Sequence, residues 1–314
     1  MKILLQTLGW LVLLVVPLQA AINIDTAVVQ KSIVFIYGTD SQGMEDAKKP
    51  LGTGFLIAIP QKENLSGKYL ALVTARHILD PAWNYCSTPN PQRVFMRMNK
   101  KNYDPTKGES GVQAFPIQLI ENGKTQYFVS DDPLVDAAVV NLDWKNYPPD
   151  QYDYVALELA VFANPSEIKA LSIGDWVVSA GLIPGTSGEK RNYPFFKFGN
   201  ISSIPGEPIW SQCEPNMPAL RLERVWFIAA NLVPGNSGSP IFYVPAGAGG
   251  IIIGSNIRTV LIGVQSTSIL LADVSGMTPI QDVFKIIEAH APDADLYRGS
   301  PDQRPKPPAQ TIPH

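Results

Sequence analysis

A chain of 314 residues that is 45% hydrophobic and 17% charged has the apolar mass to bury a large core, which excludes a disordered polyelectrolyte. Its 25 Lys and Arg against 28 Asp and Glu leave a formal net charge of −3 and no basic stripe for phosphates, so nucleic acid is not an expected partner. Pro 28 and Gly 24 are many for a helical bundle and favour a strand-rich fold.

The chain opens in the manner of an export signal. Lys2 supplies the positive start, Leu4, Leu5, Leu8 and residues 9–16 an apolar stretch, and Leu18-Gln19-Ala20 ends on a small residue. Residues 1–20 are therefore expected to be a signal peptide cut after Ala20, with an uncleaved N-terminal anchor as the alternative. No other segment approaches the length of a bilayer span, so no stable membrane span is expected after signal removal. The expected destination is secreted or periplasmic.

Short apolar runs follow at 32–37, 54–59, 69–74, 94–98, 137–142, 176–180, 241–244 and 260–265, separated by Gly, Pro, Asn and Asp clusters without a fixed repeat. Several are continuous β-branched runs, the pattern of strands buried on both faces. The reading is an all-β protein. Residues 146–153, with Pro148-Pro149, look like a linker, placing a boundary near 150–165 and two β units at 21–155 and 156–290. Near the end, Thr278 as cap, Pro279 in the first turn and Gln281 three residues after the cap predict a helix with Ile280, Val283, Phe284 and Ile287 on one face. Beyond His290 the composition turns polar and proline-rich, so 291–314 is expected to be a flexible tail.

Chemistry is confined to few residues. Of three histidines, His290 ends the helix and His314 the chain, which leaves His77 at the point where an apolar strand breaks into a turn. Cys86 and Cys213 are the only cysteines. In an oxidising compartment they can pair, and as free residues they can serve as small core fillers, so both states stay open. Two cysteines and one well-placed histidine make no zinc cluster, and no metal or other cofactor is expected. The sharpest string is Pro234-Gly235-Asn236-Ser237-Gly238-Ser239-Pro240. A serine between glycines on a tight turn exposes its hydroxyl, while the N–H groups of Gly235 and Ser237 can converge into an oxyanion hole. Such a hydroxyl needs an imidazole to take its proton and a carboxylate to orient that imidazole. His77 is the available base. Asp136, leading directly into a buried strand, is the carboxylate best placed to sit desolvated behind it, whereas Asp131, Asp132 and Asp143 lie in polar stretches.

The order His77, Asp136, Ser237, with Gly52-Thr53-Gly54-Phe55 before the histidine strand, resembles the trypsin-like (chymotrypsin-fold) serine proteases, closest to the HtrA-type and glutamyl-endopeptidase-type branches. No PDZ-like segment follows the helix. The resemblance runs over roughly residues 32–288 and implies two six-stranded antiparallel β-barrels packed side by side with a C-terminal helix and the active site between them. It further implies peptide hydrolysis through an acyl-enzyme on Ser237, with a protein or peptide substrate pairing along Ser266, Thr267 and Ser268. By the same resemblance Ser266 supports the aspartate, and Asn231 and Gln265 border the specificity pocket, which argues against Lys, Arg or Glu and toward uncharged side chains. The loop at 245–250 and the stretch 86–115 have no counterpart in that pattern and are candidate gates over the cleft. A Ser-first esterase order fails here, because His77 precedes Ser237. The remaining alternative is a catalytically silent protease-fold module that binds peptides or proteins. Asn64-Leu65-Ser66 and Asn200-Ile201-Ser202 match glycan acceptors and are read as chance matches.

Overall fold

In the computed structural model the described residues are 25–296, except 65, 87, 187, 189, 214–219, 246–258 and 270–272. The expected signal peptide, the chain beyond 296, most of the 245–250 loop and Leu65 of the first glycan-acceptor match lie outside them. A short helix α1 (Thr26–Ser32), capped by the Asp25 carboxylate, leads into the first strand. The first half then contributes β1 (Ile33–Thr39), β2 (Glu45–Pro60), β3 (Lys68–Thr74), β4 (Arg93–Asn99), β5 (Val112–Gln118), a small hairpin of β6 (Ile120–Glu121) and β7 (Lys124–Thr125), β8 (Phe128–Val129), β9 (Ala138–Leu142) and β10 (Leu157–Glu158). The one-turn helix α2 (Arg76–Leu79) follows β3.

These strands form one sheet in the order β5-β4-β1-β2-β3-β9-β8, with β10 parallel to β2. It is an eight-stranded half-barrel and not the closed six-stranded barrel expected for this half. Only two residues of β8 pair, and β5 runs out into the separate β6–β7 hairpin, so the two edges do not meet. Both faces of the sheet are covered, which accounts for the continuous apolar runs. Phe35, Phe55, Ile57 and Val73 point into a core shared with the second half, while Val34, Ile36, Leu56 and Leu72 fill a second core on the opposite face.

The chain crosses over through helix α3 (Pro165–Ala170), which starts on a reciprocal Asn164–Glu167 capping box. The second half is built from β11 (Trp176–Gly181), β12 (Phe195–Ser203), a hairpin of β13 (Ile209–Gln212) and β14 (Leu220–Glu223), β15 (Trp226–Ala229), β16 (Pro240–Tyr243), β17 (Val260–Ile269) and β18 (Val274–Pro279). Six of these close into a barrel in the order β11-β12-β15-β18-β17-β16, and the β13–β14 hairpin stands outside it.

The last helix, α4 (Ile280–His290), buries Ile280, Val283, Ile286 and Ile287, and Phe284 sets its ring edge-on to Phe162 with centroids 5.1 Å apart. Its N-cap is Pro279 and not Thr278, and no side chain caps it. The Thr278 hydroxyl is drawn instead to the backbone carbonyl of Asp136 at 3.2 Å. Residues 291–296, expected in the tail, are docked. Asp295 N donates to Pro60 O at 2.6 Å, Lys62 N donates to Asp293 O at 2.8 Å, and Ala294 and Leu296 are buried. The stretch 86–115 holds β4 and the start of β5 joined by loops, and its Thr88, Pro89 and Pro91 border the cleft.

Candidate active site

A cleft of about 960 Å³ opens between the half-barrel and the closed barrel, with His77 and Ser237 in its wall. Strand register brings the histidine and aspartate together. Thr74, the last residue of β3, pairs with Ala138, the first residue of β9, so the chain leaving β3 toward His77 runs beside the chain entering β9 from Asp136. His77 Nδ1 lies 2.7 Å from Asp136 Oδ2, and the His77 backbone N–H donates to Oδ1 at 2.9 Å. Two contacts to one carboxylate fix both the ring and the backbone that carries it, and a proton on Nδ1 leaves Nε2 as the basic atom. Asp136 is fully buried, while the His77 side chain keeps 19% exposure.

The carboxylate has a partner that the sequence reading missed. Arg221, on β14, is buried to 3% exposure and donates from Nη2 to Asp136 Oδ2 at 3.4 Å. Its Nε faces Glu223 Oε1 at 3.6 Å, and Glu223, also fully buried, accepts a hydrogen bond from Ser211 Oγ. The Trp83 ring has Arg221 and Arg76 within reach as cation–π partners, each 5.2 Å from its centroid. Burial pushes the Asp136 carboxyl up, but the charges of His77 and Arg221 and the hydrogen bonds from His77 outweigh it and hold the group below the usual carboxylate range. Burial pushes Glu223 up; Arg221 pulls it down, and the nearby Asp136 charge adds to the rise.

Cys86 and Cys213 form a disulfide with Cα atoms 5.7 Å apart, settling the question the sequence left open. It ties the segment after Trp83 to the hairpin that carries Arg221. Asn84 Nδ2, donating to Leu222 O, is a second tie.

Ser237 sits on a loop with Gly235 and Gly238 in left-handed conformations, φ 98° and 86°. A side chain at Gly238 would meet Thr53 O at 2.0 Å, so only glycine lets the loop lie this close to β2. The loop is stitched to both halves. Asn236 is buried, accepting from Val233 N at 2.9 Å and donating to Leu182 O at 2.8 Å. Thr53 N donates to Ser237 O at 2.8 Å, and Thr53 Oγ1 donates to Gly235 O at 2.8 Å while accepting from Leu182 N at 2.9 Å. The N–H groups of Gly235 and Ser237 donate to no other group among the described residues, so both stay free for an incoming oxygen. No hydrogen bond joins Ser237 Oγ to His77 among the described residues; such bonds are often long before substrate binds.

The remaining expected residues divide. Ser266, Thr267 and Ser268 border the cleft, but Ser266 Oγ is buried without a partner, so the support it was expected to give Asp136 comes from Arg221 and Thr278 instead. Gln265 is fully buried, donating to Thr267 O at 2.8 Å and Ser268 Oγ at 3.1 Å, and shapes β17 without facing the cleft. Asn231 is exposed, lies outside the cleft lining, and gives its carbonyl to Lys197 Nζ. Among the described residues no group of three or more His, Cys, Asp or Glu could hold a metal ion, and no helix is long and apolar enough to cross a membrane.

The described residues thus form a closed six-stranded barrel beside a half-barrel sheet, with a C-terminal helix. Similar solved structures include the apo MamO protease domain from Magnetospirillum magneticum, at 13% identity over 82% of this chain and 96% of that one, with a TM-score of 0.46. The active form of the Rv3671c protease from M. tuberculosis matches at 18% identity over 87% of this chain and 86% of that one, TM-score 0.47, and its inactive form at 19% over 87% and 96%, TM-score 0.44. No protein-family model and no curated protein matches the chain.

Proposed function

We propose that the chain is an exported serine endopeptidase that cleaves peptide bonds through an acyl-enzyme on Ser237. The observation that carries this is the hydrogen-bonded His77–Asp136 pair facing the same cleft as a serine whose own N–H and that of Gly235 are unengaged. His77 Nε2 takes the Ser237 proton as Oγ attacks the carbonyl carbon, and the two N–H groups receive the oxyanion. The imidazolium then protonates the leaving amine, and water activated by the same base releases the acyl group. The substrate has a docking edge. β16 meets β17 only as far as Pro240 opposite Val264, so the cleft side of Ser266–Ser268 is open to an extended peptide. The ionisable groups in the described lining, Lys49, His77 and Arg221, include no carboxylate, which disfavours Lys and Arg side chains. Export accords with the disulfide, since such bonds persist in oxidising compartments.

The test is labelling by a fluorophosphonate probe together with cleavage of an unstructured protein substrate. The parent chain labels and cleaves, and Ser237→Ala loses both. The missing Ser237–His77 hydrogen bond favours the second reading, a peptide-binding module without turnover, and a folded chain that binds peptides but never labels establishes that reading instead.

A further inference from the structure

We infer that Arg221 is a positioning residue for the His77–Asp136 pair, delivered to the back of the aspartate by the β13–β14 hairpin; this rests on the proposed hydrolase reading. Asp136 is fully buried and carries a hydrogen-bonded imidazole on one side. A carboxylate in that setting must be held ionised and aimed, or it takes up a proton and the ring loses its orienting acceptor. Ser266, the hydroxyl nearest to that duty in the expected arrangement, has no partner. Arg221 alone brings a full positive charge to Oδ2, from an element outside the barrel.

The surroundings of Arg221 fix its direction. Glu223 stands on the same strand and meets Nε, the Cys213 carbonyl lies 3.5 Å from Nη1, and the guanidinium lies over Trp83. Nη2 also comes within 3.5 Å of His77 Nδ1. With the Nδ1 proton directed to Asp136, that approach is not a second hydrogen bond, and Nη2 donates to Oδ2 alone. The charged groups around Asp136 are thus His77 from α2 and Arg221 and Glu223 from β14. Arg221 also borders the cleft, but its effect on the reaction is assigned through Asp136 and His77.

The experiment compares the full chain with Arg221→Met, which keeps length and removes charge, and Arg221→Lys, which keeps charge. Two readouts are taken across pH: the fluorophosphonate labelling rate, and the Asp136 side-chain carboxyl ¹³C resonance. In Arg221→Met the Asp136 titration midpoint is expected to rise by about one to three pH units, and the acid limb of labelling to move up with it. The peptidase kcat falls by roughly tenfold or more with KM little changed. Arg221→Lys recovers the position of the acid limb even where its rate stays lower. An unchanged carboxyl midpoint and acid limb in folded Arg221→Met overturns the inference, as does a limb in Arg221→Lys that moves as far as in Arg221→Met. If Arg221→Met does not fold, Arg221→Gln, which also removes the charge, takes its place under the same criteria. A parent chain that never labels counts against the hydrolase reading, whereas the carboxyl titration still reads the Arg221–Asp136 link by itself.

Discussion

Replacing Thr53 by valine removes one oxygen from the seam between the two halves. That hydroxyl accepts from Leu182 N at 2.9 Å and donates to Gly235 O at 2.8 Å, and Thr53 is fully buried. Valine fills nearly the same space, so the loss is a matter of hydrogen bonds and not of a cavity. Two buried backbone groups are left unpaired, each costing about 1–3 kcal/mol, which places the loss near 3 kcal/mol with relaxation allowed for. For a protein of this size that lowers the melting temperature by about 5–10 °C. Gly235 also loses a tether on the residue whose N–H is assigned to the oxyanion, so fluorophosphonate labelling slows by roughly tenfold or more. Thr53→Ser keeps the hydroxyl and stays within about 1 kcal/mol of the parent. Thermal melts and labelling rates on the three proteins measure this. A valine variant that melts with the parent and labels as fast shows that the seam hydroxyl does not hold the nucleophile loop.

Two further outcomes follow from the same contacts. The disulfide closes a loop with a sequence separation of 127, so Cys86→Ser with Cys213→Ser should lose about 4–5 kcal/mol of stability in denaturant titrations; a loss under about 1 kcal/mol would mean the unfolded chain gains little freedom. The buried carboxylates predict opposite pH arms. Asp136 sits below its ordinary value of 3.8, so its stabilisation is complete above that value and disappears as pH falls through the lower folded one. Glu223 sits above its ordinary value of 4.5, so its stabilisation is complete below that value and disappears as pH rises through the folded one. Asp136→Asn should flatten the acid arm of a stability–pH curve and Glu223→Gln the arm above it, and parallel curves for parent and variants would refute the assignment.

What was readable in the sequence was whatever depends on local pattern. The apolar runs at 32–37, 54–59 and 69–74 became central strands because buried strands need no partner information to look apolar. His77, Asp136 and the Ser237 loop were legible because turn chemistry and strand boundaries mark where a side chain can be presented. The strands that escaped notice, among them β5 with Pro116 and β14 with Arg221 and Glu223, mix polar residues into short segments and carry no periodic signal. Arg221 was invisible for a deeper reason. An arginine between two leucines reads as an alternating strand facing water, and only tertiary packing shows that its face is turned to a buried aspartate. Thr278 was misplaced because a threonine before proline satisfies a capping pattern, while the Asp136 carbonyl, remote in sequence, competes for the same hydroxyl.

The contacts around the site are reciprocal between the halves, and this explains why residues so far apart share one geometry. Asp136 belongs to the first half, yet Thr278 from β18 and Arg221 from β14 hold it. Ser237 belongs to the second half, yet its loop is pinned by Thr53 from β2, whose own carbonyl accepts from Thr74 Oγ1 at the end of β3. β3 is the strand that delivers His77, so a displacement at the serine loop is passed through Thr53 and Thr74 to the base of the imidazole. Each half holds its proposed catalytic group with help from the other docked against it. Asp136 gains the Arg221 cation only where the two halves meet, and a buried carboxylate without its cation would take up a proton. The alignment that the proposed peptide cleavage requires is therefore a property of the interface between sheet and barrel, and loosening that interface at any of these hydrogen bonds should cost reactivity before it costs secondary structure.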